Sequence, residues 1–218
     1  MSGRLATRPV GADGRLVTAY RPPAPSTAVE VVEDGGWRLE RLAAAMEQAG
    51  THAATTMLVG VHGPDDDEDR LREYVPGIDP SRFERSEAFV VHEVRPWLAD
   101  EYHLSLPAER TAVWGASLGA EFALALGVRH LDVFGQVFAC SPGAGFRPPP
   151  DLTPPLPSVH LVAGRQEPFF LANATRWHEA LLDVGARSVL DECEGEHGGA
   201  FWFDSLPAIL DRAVGTAP

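Results

Sequence analysis

Residues 110–128 read Arg-Thr-Ala-Val-Trp-Gly-Ala-Ser-Leu-Gly-Ala-Glu-Phe-Ala-Leu-Ala-Leu-Gly-Val. The apolar run 111–114 predicts a short strand. Leu118, Phe122, Ala123, Leu126 and Val128 recur at the three- and four-residue spacing of a buried helix. Between them stands Gly115-Ala116-Ser117-Leu118-Gly119, a G-x-S-x-G pattern in the strand–turn–helix setting of a nucleophile elbow. A serine on so cramped a turn needs neighbours without a Cβ, and the two glycines supply them. Ser117 would also lie at a helix N-terminus, where free backbone N–H groups can receive developing negative charge.

Outward from this stretch, strands alternate with helices. Strands are predicted at 15–20, 28–32, 55–61, 135–140, 159–163 and 188–191. Helices are predicted at 37–49, from Ser81 or Ser86 to about 103, at 176–182 and at 205–214. Pro96 is expected to kink the second of these helices. The acidic run 65–69 and residues 70–83 read as loop, and 144–157, with six prolines, as an irregular surface excursion. The unbroken apolar strand 55–61 fits a sheet covered on both faces. The whole predicts one α/β domain over residues 1–218 with a mostly parallel sheet.

Composition narrows the function. Apolar residues make up 44% of 218, enough for one substantial core. A net charge of −13 argues against nucleic acid or an anionic membrane as partner. Cys140 and Cys193 are the only cysteines and have no metal-ligand spacing, which favours a reduced compartment. Residues 1–8 lack the apolar core of a signal peptide, and no segment approaches the roughly 18 apolar residues of a membrane span. The expectation is a cytoplasmic protein of unspecified oligomeric state.

A serine hydroxyl needs an adjacent base, and the base an orienting acid. In an α/β-hydrolase sheet these follow in the order Ser, acid, His, each on a loop after a strand. His160 falls inside an apolar strand and His178 in a predicted helix, so both read as structural. His197, in Glu194-Gly195-Glu196-His197-Gly198-Gly199 just past the last strand, is the candidate base. Glu167, in the loop after strand 159–163, is the candidate acid, with Asp191 and Glu192 as competitors. The backbone N–H of Leu118, with one from Gly35 or Gly36, would form the oxyanion hole. Trp37, Phe169, Phe170 and Trp202 lie beside these loops and are candidate pocket walls.

Taken together, Asp34-Gly35-Gly36-Trp37, Arg72-Glu73-Tyr74, the elbow, Ala163-Gly164-Arg165-Gln166-Glu167-Pro168 and Gly195-Glu196-His197 with Trp202 resemble the esterase D and enterochelin-esterase-like group of α/β-hydrolases. The resemblance spans about residues 15–214. It implies a three-layer α/β/α sandwich of the α/β-hydrolase fold, no cofactor, and hydrolysis of small-molecule carboxylic esters through an acyl-enzyme. The chain departs from the pattern at Gly119-Ala120, where relatives commonly carry Gly-Gly, and at Glu196, where they often carry glycine. Two rival readings stand beside the serine esterase. One is a siderophore esterase cleaving a polyanionic trilactone, with Arg38, Arg72 and Arg165 as substrate-binding candidates. The other is a non-catalytic binding protein on the same fold.

Overall fold

The computed structural model describes residues 3–24, 26, 28–33, 37–49 and 55–215, without the side chains of 28–33, 37, 49 and 212–215. Among the described residues eight strands form one sheet: β1 (Arg4–Val10), β2 (Arg15–Arg21), β3 (Ala28–Glu33), β4 (Thr56–Val61), β5 (Thr111–Ala116), β6 (Gln136–Cys140), β7 (Ser158–Gly164) and β8 (Ser188–Cys193). Their spatial order is β1-β2-β4-β3-β5-β6-β7-β8. β2 runs antiparallel to both neighbours, and every pairing from β4 to β8 is parallel. β1 falls in a stretch for which no strand is predicted. Pro9 and the arginines Arg4 and Arg8 hide its strand character, and they suit an edge that must not recruit another chain.

The central strands are apolar because both faces are covered. β4 and β5 are buried along their whole length. Successive residues alternate between two cores. Val113, Val137 and Leu161 face one, with Phe122, Ala123, Ala174 and Trp177. Trp114, Phe138 and Val162 face the other, with Leu39, Leu42, Met46, Leu206 and Ile209. The first layer contains α5 (Leu118–Arg129) and α6 (Pro168–Asp183), the second α1 (Trp37–Ala49), α7 (Phe201–Asp204) and α8 (Leu206–Gly215). The result is a three-layer α/β/α sandwich of the α/β-hydrolase type.

The helices refine the sequence reading in four places. The acidic run is not a loop. Asp66 caps α2 (Asp67–Tyr74) by accepting from the N–H groups of Glu68 and Asp69, and three further carboxylates sit where the helix dipole favours them. Arg70 and Arg72 then pair with Asp67, Glu68 and Asp69 one turn away. Next, α3 (Pro80–Phe89) starts at Asp79, which accepts from the Arg82 N–H, with Pro80 at the first helical position, so neither Ser81 nor Ser86 caps it. Ahead of Pro96 the expected kink is taken up by a π-turn over Val90–Val94, which leads into α4 (Arg95–Tyr102). Proline cannot donate to the preceding turn, and one extra residue per turn absorbs the loss. Finally, α6 begins at Pro168, eight residues ahead of the predicted start.

Topology fixes where chemistry can occur. α1, after β3, packs on one face of the sheet, while α5, after β5, packs on the other. β3 and β5 are neighbours. The chain therefore leaves these two strands in opposite directions and opens a crevice at their carboxyl ends. Ser117 sits at that crevice.

Candidate active site

Ser117 joins β5 to α5 with φ 57° and ψ −120°, a conformation that side chains rarely adopt. The turn is tight because Gly115 passes close beneath the helix start. A Cβ there would lie 1.9 Å from the Gly119 carbonyl oxygen. The Ser117 N–H donates to the Cys140 carbonyl of β6 at 2.9 Å, pinning the elbow to the next strand. Leu118 is the first residue of α5, so its N–H has no acceptor within the helix and lies at the positive end of the helix dipole.

Three side chains from three loops meet here. The Ser117 hydroxyl lies 3.0 Å from His197 Nε2, and His197 Nδ1 lies 2.7 Å from Glu167 Oε2. A carboxylate oxygen only accepts, so Nδ1 carries the proton and Nε2 is left to accept from the serine. Glu167 is buried, and its second oxygen accepts from the Gly164 N–H at 2.6 Å and from Ser141 Oγ at 2.5 Å. His197 Nδ1 meets Glu167, not Glu192 or the adjacent Glu196. Gly164 and Gly195 let the two loops touch: a Cβ on Gly164 would come within 2.2 Å of the Gly195 carbonyl oxygen, and Gly195 itself has φ 142°. The Gln166 N–H closes the contact by donating to that same carbonyl.

The imidazole is held on its faces as well as at its nitrogens. The Phe170 ring stacks on it at 3.7 Å between centroids, and Trp202 meets it edge-on at 4.9 Å. Trp202 differs from its expected role as a pocket wall. It is only 4% exposed, and its Nε1 donates to Ser141 Oγ at 2.7 Å, so it stands behind the histidine and offers little surface to a ligand. Phe169, by contrast, is exposed and packs edge-on against Phe170, next to the histidine. Arg72 is engaged by Glu68 and Asp69, and Arg165 by Glu194 and Glu192. Neither guanidinium bonds to the Ser117–His197–Glu167 line. Arg38 is largely buried over the Trp202 ring. Gly35, Gly36 and the side chain of Trp37 lie outside the described residues.

Sequence reasoning missed Ser141. It is fully buried, holds φ 52°, and bridges the Glu167 carboxylate to the Trp202 indole. The signal was its place directly after β6, at the same sheet edge as Ser117. A hydrogen bond to a charged group contributes about 1.5–3 kcal/mol. Ser141→Ala is therefore expected to lower kcat about tenfold, since 1.36 kcal/mol is one decade, with KM changed less than about twofold. Steady-state kinetics on a small ester checks this.

Residues 19–150 match the family model described as "Esterase: Putative esterase". The match includes Ser117 and ends before Glu167 and His197. No curated protein matches the chain in sequence. Solved structures share its fold. The BES protein from Bacillus cereus superposes with a TM-score of 0.73 at 19% identity, over 97% of this chain and 94% of that one. The enterobactin esterase FES from Shigella flexneri gives 0.76 at 17%, over 99% of this chain and 60% of that one. FphF, a fluorophosphonate-binding serine hydrolase of Staphylococcus aureus, gives 0.70 at 11%, over 98% and 99%. Among the described residues no helix is long and apolar enough to cross a membrane.

Proposed function

Because this chain belongs to the esterase family, and so to the hydrolases of ester bonds, we propose that it is a serine esterase of small-molecule carboxylic esters working through Ser117, His197 and Glu167. The observation that carries this reading is the continuous hydrogen-bonded line from Glu167 through His197 to a serine on a strained elbow. Ser117 Oγ attacks the ester carbonyl carbon while its proton passes to His197 Nε2. Glu167 keeps Nδ1 protonated and stabilises the imidazolium. The carbonyl oxygen becomes an oxyanion, received by the Leu118 N–H and by one from Gly35 or Gly36. As the tetrahedral centre collapses, the C–O bond to the alcohol breaks and His197 returns its proton to that oxygen. Water then enters by the same path, and its attack releases the acid and restores Ser117.

The exposed Phe169, set against Phe170 beside the histidine, favours a substrate with an apolar or aromatic group on this side of the serine. The trilactone reading has less support. The fold likeness to enterobactin esterase speaks for it, but the two exposed arginines proposed for a polyanion are already paired with carboxylates. A purely binding role leaves the assembled serine, histidine and acid without use. A panel of p-nitrophenyl esters of increasing chain length tests the proposal: hydrolysis of at least the short members is expected, with KM insensitive to salt. No turnover of any ester would count against it, and turnover of a polyanionic trilactone with a KM rising steeply with salt would favour the polyanionic substrate.

A further inference from the structure

The helix that begins at Ser117 also carries a carboxylate that no step of ester hydrolysis uses. Glu121 lies in the first turn of α5 and is 2% exposed. Its side chain meets the loop that follows β6. A Cβ on Gly143 would stand 2.2 Å from Oε1, and one on Gly145 would stand 2.5 Å from Oε2. The two glycines thus bring bare backbone against the carboxylate, closer than any side chain allows. Burial pushes the Glu121 carboxyl above the usual carboxylate range, while the N–H groups of Gly145, Phe146 and Gly143 favour its ionised form. Oε2 itself has no hydrogen-bond partner, so the loop's peptides leave one carboxylate oxygen unsatisfied. A carboxylate buried this way costs stability, and an apolar side chain would fill the space with less penalty. Its contribution is to be sought in what it holds.

What it holds is the loop that supports the acid. Ser141, two residues before Gly143, donates to Glu167 and has its own N–H on the Val162 carbonyl at 2.7 Å. At the other end, the Phe146 carbonyl accepts from Trp177 Nε1 at 3.2 Å. Between these two anchors the Glu121 carboxylate meets the loop at both Gly143 and Gly145, and Val75 packs beside it at Gly145.

We propose that Glu121 is a positioning residue: from the nucleophile's own helix it fixes loop 141–146 and, through Ser141, the carboxylate of Glu167 behind His197. The proposal rests on the esterase reading. It makes one strut out of the elements that carry Ser117 and those that carry the acid, so the Ser117–His197 separation does not drift as the loops breathe.

The test disturbs the contact from both sides in the full chain. Glu121→Gln replaces an acceptor with a donor facing peptide N–H groups. Gly143→Ala drives a methyl group into Oε1 from the loop. Each is expected to lower kcat on p-nitrophenyl acetate about 10- to 100-fold, the scale of an ångström-sized misplacement, with KM within about twofold. Glu121→Gln combined with Ser141→Ala is expected to cost no more than the worse single variant, because both act through one loop. Losses that multiply, or a raised KM at unchanged kcat, would overturn the proposal. If Glu121→Gln does not fold, Gly143→Ala with Ser141→Ala decides by the same criteria. A second readout is independent of turnover. The low-field proton resonance of His197 Nδ1–H should shift or broaden in both variants, and an unchanged resonance in both would overturn the proposal. If the wild-type protein neither hydrolyses esters nor reacts with a fluorophosphonate, the esterase reading fails, and the resonance still judges the role of Glu121.

Discussion

Ser117→Ala is expected to lower kcat by about 10³-fold or more while leaving the fold intact. The structure gives a reason for both halves. Ser117 Oγ is the atom within hydrogen-bond distance of His197 Nε2, so its removal takes away the nucleophile and leaves the base with nothing to activate. Alanine has the same Cβ as serine, so the strain of φ 57° is neither added nor relieved, and the N–H bond to Cys140 remains. Activity left over would come from the oxyanion donors and binding alone. Ser117→Ala with His197→Ala should then cost little more than either change alone, because the two residues act as a unit. Thermal unfolding of each variant alongside the kinetics separates lost chemistry from lost structure.

Glu167→Gln is expected to lower kcat by about 10²- to 10⁴-fold. The Glu167 oxygen nearest the loop already accepts from Gly164 N–H and Ser141 Oγ, so a glutamine would keep its carbonyl oxygen there. Its NH₂ would then face His197 Nδ1, which would have to accept in place of donating. The proton moves to Nε2, and the imidazole loses its capacity to take the serine proton. Glu196→Gln is the comparison, since its carboxylate adjoins His197 in sequence but Nδ1 points elsewhere. Its kcat/KM is expected to stay within about twofold of wild type. A neutral Glu167→Gln with an inactive Glu196→Gln would reverse the assignment.

Much of this was legible in the residues, for physical reasons that differ from element to element. β4 and β5 show in sequence because strands buried on both faces must be apolar throughout. The elbow shows because its geometry admits only glycine at 115. The proposed base and acid follow from chain order, since an α/β sheet delivers loops to one edge in sequence. The features that were misread are those decided by partners far along the chain. α6 starts eight residues ahead of 176 because Pro168 is favourable at a helix start, a signal that the spacing of 176–182 does not carry. Trp202 is a candidate pocket wall by its place beside the histidine loop, but its N–H is claimed by Ser141, 61 residues away. Ser141 has no local signature beyond its place directly after β6, and Glu121 has none. Their roles appear only once β6 lies beside β5 and the loop folds back over the elbow helix.

The measurement closest to the central claim is the site of covalent modification by a fluorophosphonate, read by intact-protein mass and peptide mapping. The account predicts one phosphonyl group per chain, attached to Ser117, absent from Ser117→Ala and acquired much more slowly by His197→Ala. A folded wild-type protein that takes up no label, or that takes it up on a different residue, would contradict it.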